Sequence, residues 1–569
     1  MSLLDWGIFF AFLAWVVTDG LRRSRKDGDA SERFLAGRSA PWWLIGISIM
    51  ATQASAITML GTTGQGWQDG LRFAQFYYGL PLAMVILAFT VVPLYRRFEV
   101  FTVYEYLGKR FDERTRILSA ALFLVLRGLS VGFVIYAPSV VLSAVLGLST
   151  RLTIGMMGAV AVAYTTIGGM RAVLSTDVKQ MAVMVVGLIV GLGYAIASLP
   201  EEVGLTGAMQ LAQVTDRLVL ADWSLDLSEK YTMLSALLGG TLLFLGYFGC
   251  DQSQAQRYLS GKSVGHERGA LLFNAALKIP FQILVLFTGV MLFAHYTFEA
   301  PPVSFVPRQA QEVNVVQTEV DVATAAWEET RDAASRWLSV GEGSAEASLE
   351  YLEALKKEMI ARESSVAALQ AASGDKTKET NYVLPHFILN VLPRGLIGLL
   401  IAAIFAAALS SIDSELNAMA TVAVMDLHPR GRRRTLGAAG ERRASAIAMA
   451  GFGAFATGFA FFVQQADSLV EAVNKVGSYF YGALLGVMIL AVGTRRVGGI
   501  GAVSAIIAGV VAVGAADLLA PVYLDQKLPF LLLNTVGTGA AVLVGLIVSL
   551  FETRAPEPSN TETETPRSP

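Results

Sequence analysis

From Leu3 to Phe551 the sequence alternates long apolar runs with polar links, and most runs approach the ~20 residues that cross a bilayer as a helix. Thirteen stretches are predicted to span, at 3–20, 42–64, 75–95, 117–146, 152–168, 178–198, 233–250, 270–296, 394–426, 444–463, 468–492, 498–519 and 529–551. The ninth contains Ala402–Asp426, AAIFAAALSSIDSELNAMATVAVMD, an apolar helix with a polar middle. Its Ser410, Asp413 and Ser414 stand at i, i+3 and i+4 and share a face, with Ser411 beside them. Hydroxyls and a carboxylate at bilayer depth are costly without a partner, and a bare monovalent cation suits them. A second polar-interrupted apolar segment, Ile47–Gly66, would supply backbone carbonyls near Ala51 to the same ion. The pair points to ion-coupled transport.

Two segments break the pattern. Residues 298–381 are polar and rich in Glu, Ala and Lys, with helical stretches such as SAEASLEYLEALKKEMIARESSVAALQ. They are expected to form a solvated helical cap or hairpin outside the membrane. The tail from Ala555, APEPSNTETETPRSP, is expected to be disordered. The first apolar run, Leu3–Val17, has its basic cluster (Arg22, Arg23, Arg25, Lys26) after it rather than before it, the reverse of a secretory signal.

Composition agrees. Of 569 residues, 54% are hydrophobic and 16% charged, and mean hydropathy is +0.53; a soluble chain would carry roughly 25% charge. The net charge of −2 says nothing about partners, and no nucleic-acid role is indicated. The single cysteine, Cys250, excludes a disulfide framework and a thiolate metal site, and four scattered histidines give no metal-binding spacing. No nucleophile–base pair emerges, so an enzyme is not expected.

Charge placement sets orientation. The short loops with Arg96/Arg97/Lys109/Arg110, Arg171/Lys179, Arg257/Lys262/Arg268, Arg430/Arg432/Arg433/Arg434 and Arg495/Arg496 fall on one side, whereas those between them, such as the loop after Leu146, carry far fewer basic residues. The positive-inside rule puts the basic loops and the C-terminus in the cytoplasm and the N-terminus outside a plasma (inner) membrane.

Four motifs, QASAITMLGTTGQGW (53–67), YTTIGGMRAVLSTDVKQ (164–180), DQSQAQRYLSGKS (251–263) and ALSSIDSELNAMATVAVMD (408–426), together resemble the sodium/solute symporter family. With YAPS (136–139) and EAVNKVGSYFYG (471–482), the pattern is most similar to its iodide, monocarboxylate and multivitamin transporter subgroup. The resemblance runs from about residue 30 to 500, with the insertion as its main departure. It implies an all-α membrane protein of about thirteen spanning helices around a leucine-transporter-like 5+5 inverted-repeat core. The implied division is an extra N-terminal helix and basic loop (1–30), the first repeat and the start of the second (31–297), the insertion (298–381), the rest of the second repeat (382–492), two peripheral helices (493–551) and the tail (552–569). Substrate and ions would meet where the second and seventh stretches, which open the repeats, are broken. Gly61, Gly64 and Gly66 fit such a break by freeing the backbone, although they would equally permit tight helix packing.

The resemblance also implies sites. The principal sodium site would comprise carbonyls of Ala51, Ala54 and Ala407 and hydroxyls of Ser410 and Ser411. A second ion site would use Asp177, Ser410 and Ser414, with Asp413 standing where a serine is expected. Asp413 would strengthen sodium binding, hold a proton or pair with a base; Asp177 lies between Arg171 and Lys179 and would equally form a structural ion pair. Lys278 falls where sugar-transporting relatives place a lysine near substrate. It would attract a carboxylate or pair with Asp251 or Asp413, and Arg127 is expected to have a carboxylate partner. Pocket positions would be Gln53, Thr58, Tyr77, Leu80, Phe244 and Val473, too apolar for a hexose, with Tyr247 as inner gate.

The resulting expectation is a sodium-coupled symporter that imports a small solute, an organic anion or similar metabolite, by alternating access, with Na+ as coupling ion and the lipid bilayer as its surroundings. The rivals are a proton-coupled transporter using Asp413 or Asp177, and a solute sensor on a transporter scaffold. Such sensors add cytoplasmic signalling domains, and this sequence ends within about twenty residues of its last span.

Overall fold

The computed structural model describes residues 1–24, 30–166, 169–224, 231–341, 344–375, 377–427, 437–463, 469–523 and 528–552. Arg25, Lys26, Gly168, Arg430, Arg432, Arg433, Arg434 and the tail from Ala555 lie outside the described residues, so the expectations attached to them have no structural counterpart here.

All thirteen apolar stretches contain helix. The helices used below are α1 (Leu3–Ser24), α2 (Trp42–Gln53), α3 (Thr63–Asp69), α4 (Leu80–Phe89), α5 (Glu113–Leu146), α6 (Thr150–Thr165), α7 (Met170–Ala197), α8 (Thr241–Gly249), α9 (Gln252–Tyr258), α10 (Val264–Phe298), α11 (Gln317–Val340), α12 (Ala345–Ser373), α13 (Leu396–Val422), α14 (Gly437–Ala460), α15 (Leu469–Gly493), α16 (Gly499–Tyr523) and α17 (Phe530–Ser549). Among the described residues, nine helical stretches are long and apolar enough to cross a membrane, and ten with the bent pair at 233–258. The remaining three expected spans are the broken α2, the 16-residue α6 and the more polar α14.

The α13 helix is the axis of the fold. It is buried on every face and packs against α1, α2, α5, α6, α7 and α14, which explains why its apolar pattern is continuous rather than amphipathic. Its N-terminus is capped from elsewhere: Gly395, at φ 91°, and Gly398 donate their N–H groups to Asp5 Oδ1 of α1 at 2.6 and 3.0 Å. The last three helices pack mainly on one another, with α15 joining them to α5 and α8.

Both stretches expected to open the repeats are broken. In the second, α2 stops at Gln53, Ala54 turns out of helix (φ −85°, ψ 62°), and the chain resumes through a π-turn at Thr58–Thr62 before α3. In the seventh, a π-turn at Ala236–Gly240 leads into α8; the chain then bends 66° at Cys250–Asp251 and continues as α9, whose N-terminus Asp251 caps through Ser253 N at 2.8 Å. The break in the second stretch therefore lies at Ala54–Ser55, not at the glycines. Gly64 and Gly66 serve the other purpose. A Cβ on Gly64 would overlap the Thr380 carbonyl, one on Gly66 the Leu286 carbonyl, and one on Gly289 the Thr63 carbonyl. Absent side chains let α3 lie directly on α10 and on the chain at Thr380.

Helices α11 and α12 of the insertion pack together as a hairpin over a small apolar cluster shared with Leu211 and with Phe293 of α10, in which the Trp337 and Tyr351 rings stack at 6.1 Å. Trp327 Nε1 donates to the Tyr296 carbonyl at the end of α10 (3.0 Å), and Arg362 forks onto both Glu379 carboxylate oxygens at 2.9 and 2.8 Å.

Candidate functional site: a cation cluster and a central cavity

At the break in α2, the last carbonyls of the helix have lost their i+4 donors and are available to a neighbour. The α13 helix supplies one: Ser411 Oγ donates to the Thr52 carbonyl at 2.8 Å and to its own-helix carbonyl at Ala407 at 3.2 Å. Ala51 and Ala54 flank this point, both fully buried. Ala407 and Ser411 therefore converge on the break, and the carbonyl that receives the hydroxyl is that of Thr52, which the sequence reading omits. Ser410 points elsewhere. Its hydroxyl donates to Asp177 Oδ1 of α7 at 2.5 Å.

Asp177 lies at the centre of a second group. Its Oδ2 accepts from Ser48 Oγ, and Arg257 Nη2 approaches the same oxygen at 3.8 Å while Arg257 Nε donates to Ser48 at 3.0 Å. The expected competitors for Asp177 are engaged otherwise: Arg171 pairs with Glu32 at 2.7 Å and Lys179 with Asp19 at 2.5 Å. Asp413 accepts from Ser414 at 3.2 Å, and Ser414 is in turn 3.2 Å from Thr52 Oγ1, so the two groups are continuous. Arg257 acts electrostatically on both Asp177 and Asp413. It is 1% exposed and so is not the solvated loop charge read from the sequence. One guanidinium thus faces two carboxylates at the heart of the fold.

Beside these groups is a cavity of about 120 Å³. Gln53, Thr58, Tyr77, Phe244, Tyr247, Lys278 and Val473 line it, whereas Leu80 is buried outside its wall. Tyr77 and Phe244 stack at 5.8 Å, making one side aromatic. Lys278 Nζ lies 5.1 Å from the Tyr77 ring centre and has no hydrogen-bond partner among the described residues. Neither carboxylate considered for it is engaged with it, since Asp251 belongs to Arg127 and Asp413 to Ser414.

Arg127 bridges three other helices. Its guanidinium donates to Asp251 Oδ2 (2.7 Å), Glu415 Oε1 (2.7 Å) and the Tyr481 hydroxyl (2.6 Å), and it lies 5.1 Å over the Tyr247 ring. Tyr247 also accepts from Gln254 at 2.9 Å. Arg127, Glu415 and Tyr481 all line the cavity. Glu415 is absent from the sequence reading, although it was legible there: two residues after Asp413, it faces another side of a helix with no solvated face.

Residues 33–325 and 353–509 match the model of the sodium:solute symporter family, well over half of the chain. The chain belongs to that family. The unmatched stretch falls within the α11–α12 hairpin. This sodium:solute symporter family member is 30% identical over 304 residues to the sodium-coupled monocarboxylate transporter 2 of Bos taurus (52% of this chain, 48% of the relative). It is 31% identical over 302 residues to the human sodium/iodide cotransporter (52% and 46%). The chain spans about half the length of these curated relatives. A longer match, 26% over 509 residues, links it to the mouse sodium-coupled monocarboxylate transporter 1 (88% and 69%). The relatives are of the subgroup to which the motifs pointed. Among solved structures, a Na+-coupled sialic acid symporter in a substrate-bound outward-open state superposes with a TM-score of 0.75 at 21% identity, covering 97% of this chain and 99% of that one. The symporter family member therefore has the all-helical, leucine-transporter-like inverted-repeat fold implied by its motifs.

Proposed function

We propose that this protein is a sodium-coupled secondary transporter that carries a small, carboxylate-bearing solute through its central cavity by alternating access. The observation that carries the reading is the Ser411 bond to Thr52, which joins an apolar helix bearing hydroxyls to carbonyls freed at a helix break. Uncharged oxygens on two separate helices suit a hard monovalent cation that must bind and then leave. Sodium would be held by carbonyls of Ala51, Thr52, Ala54 and Ala407 with the Ser411 hydroxyl, and a second cation by Asp177, Ser410, Asp413 and Ser414. Binding that holds α2 to α13 fixes one wall of the cavity, which would raise solute affinity, and the coupling is reciprocal. One sodium crossing about 100 mV yields roughly 2.3 kcal/mol, and a tenfold gradient about 1.4 more, enough to hold roughly a 500-fold solute gradient.

The solute reading rests on Lys278, a buried cation on the cavity wall without a hydrogen-bond partner among the described residues. Relatives described as monocarboxylate and iodide carriers agree with an anionic group on the solute. The placement proposed is a plasma (inner) membrane, N-terminus outside and C-terminus cytoplasmic, on the strength of the basic short loops.

The test is uptake into proteoliposomes under an inward sodium gradient with the interior negative, against potassium outside. Accumulation that requires sodium and is lost in Ser411→Ala supports the proposal. A second reading, proton coupling, is favoured by the two carboxylates around Arg257. It predicts accumulation driven by an inward proton gradient without sodium, abolished in Asp413→Asn.

A further inference from the structure

Beside the neutral Gln53 Nε2, two polar atoms on the cavity wall lack a hydrogen-bond partner among the described residues and belong to groups of opposite charge: Lys278 Nζ and Glu415 Oε2. Their side chains are buried, 1% and 4% exposed. A buried polar atom of a charged group left without a hydrogen bond is unfavourable, so Lys278 Nζ and the second oxygen of Glu415, whose first is held by Arg127, are each suited to a group the protein does not itself supply. The charge count sharpens this. Arg127 is divided between Asp251 and Glu415, leaving that trio one negative charge in excess, and Lys278 adds one positive. The wall thus presents a cationic part at Lys278 and an anionic part at Glu415, which shares Arg127 with Asp251. A simple carboxylate would answer Lys278 and leave Glu415 exposed to an apolar surround, and a simple amine would do the reverse.

We infer that the solute is a zwitterion, a small amino carboxylate whose carboxylate meets Lys278 and whose ammonium meets the free oxygen of Glu415. The inference rests on the transport reading above and names the substrate class of the same cavity. Tyr247 and Tyr481 also line the wall, but the ring of the first and the hydroxyl of the second are engaged by Arg127, so the free oxygen of Glu415 remains to meet an ammonium. Size supports it too. A cavity of about 150 Å³ takes benzene, so about 120 Å³ suits a solute of roughly six non-hydrogen atoms, the size of β-alanine.

The experiment is thermal stabilisation of the detergent-purified full chain in sodium and in potassium, titrated with glycine, β-alanine and 4-aminobutanoate and with the singly charged analogues propionate and ethylamine. At least one amino carboxylate is expected to stabilise saturably, at about tenfold lower concentration than either analogue. In Glu415→Gln the preference over propionate should fall to near parity. Equal or better stabilisation by propionate or ethylamine overturns the inference, as does stabilisation by none of the amino carboxylates. So does propionate binding that strengthens as pH falls, the sign of a proton on Glu415 instead of an ammonium beside it. If Glu415→Gln does not fold, the wild-type ranking alone decides. Stabilisation by the preferred amino carboxylate at the same concentrations in sodium and in potassium would sink the sodium-coupled reading and leave this inference standing.

Discussion

The Ser411 hydroxyl reaches the Thr52 carbonyl at 2.8 Å across the boundary between the two repeats, joining α13 to the point where α2 unwinds. A cation taken up there would share those oxygens and tighten the same joint.

Ser411→Ala should therefore remove the sodium-specific part of the protein's heat stability. With ionic strength held constant, melting temperature is titrated with sodium against potassium. The wild type should rise saturably with sodium, while the variant should need about tenfold more sodium or show no rise. An identical sodium response in the variant would remove Ser411 from the ion's path.

Arg257 stands between two acids, so its removal should be costly and its cost should depend on Asp413. Arg257→Gln is expected to destabilise by about 3–5 kcal/mol, because a buried carboxylate pair is left without its cation. Adding Asp413→Asn should recover about 1 kcal/mol or more, a coupling read from denaturation of the single and double variants. Additive losses would mean that Arg257 does not serve both acids.

Gly66→Ala and Gly289→Ala should each abolish folded protein or lower its melting temperature sharply, since the new methyl would meet backbone of the facing helix, which cannot turn aside. Gly193→Ala, with nothing within 4 Å of its added Cβ, is the control and should be neutral. Yield on size-exclusion chromatography distinguishes them.

His386, on the short helix Val383–Asn390 beyond the spanning segments, is pushed down to about 4 by burial first and by the nearby Arg362 guanidinium second. Above the ordinary value of 6.5 neither folded nor unfolded chain carries the proton. Below it, the unfolded chain takes a proton that the folded one refuses, so stability falls between pH 6.5 and about 4 and levels off beneath. The loss should be about 2 kcal/mol, and His386→Gln should flatten that portion of the melting temperature–pH curve. A wild-type curve that is flat across this interval would contradict the assignment.

The hydroxyl-bearing face of α13 is legible from sequence because polar groups in an otherwise unbroken apolar run have few reasons to be there. Thr52 is not, since it acts through a main-chain carbonyl and the location of the helix break carries no side-chain signature. Arg257 reads as a loop charge; only the 66° turn at Cys250–Asp251 carries it back to Asp177. The glycines mislead for a related reason. A missing Cβ permits either an unwound backbone or a close helix contact, and composition does not separate the two. The α11–α12 hairpin is foreseen as helical from its polar periodicity, but its attachment through Arg362 and Glu379 depends on tertiary placement.

The bonds from Asp5 to Gly395 and Gly398 also set an order of assembly. They join residues 390 and 393 positions apart, so the carboxylate oxygen that caps α13 has no such donors until most of the chain has been made. Helix α1, made early, is thus among the last of these helices to find its permanent seat. A chain halted before Gly395 should leave α1 loosely held and open to crosslinking with lipid or with other proteins in the membrane, and release of the halted chain should close that window.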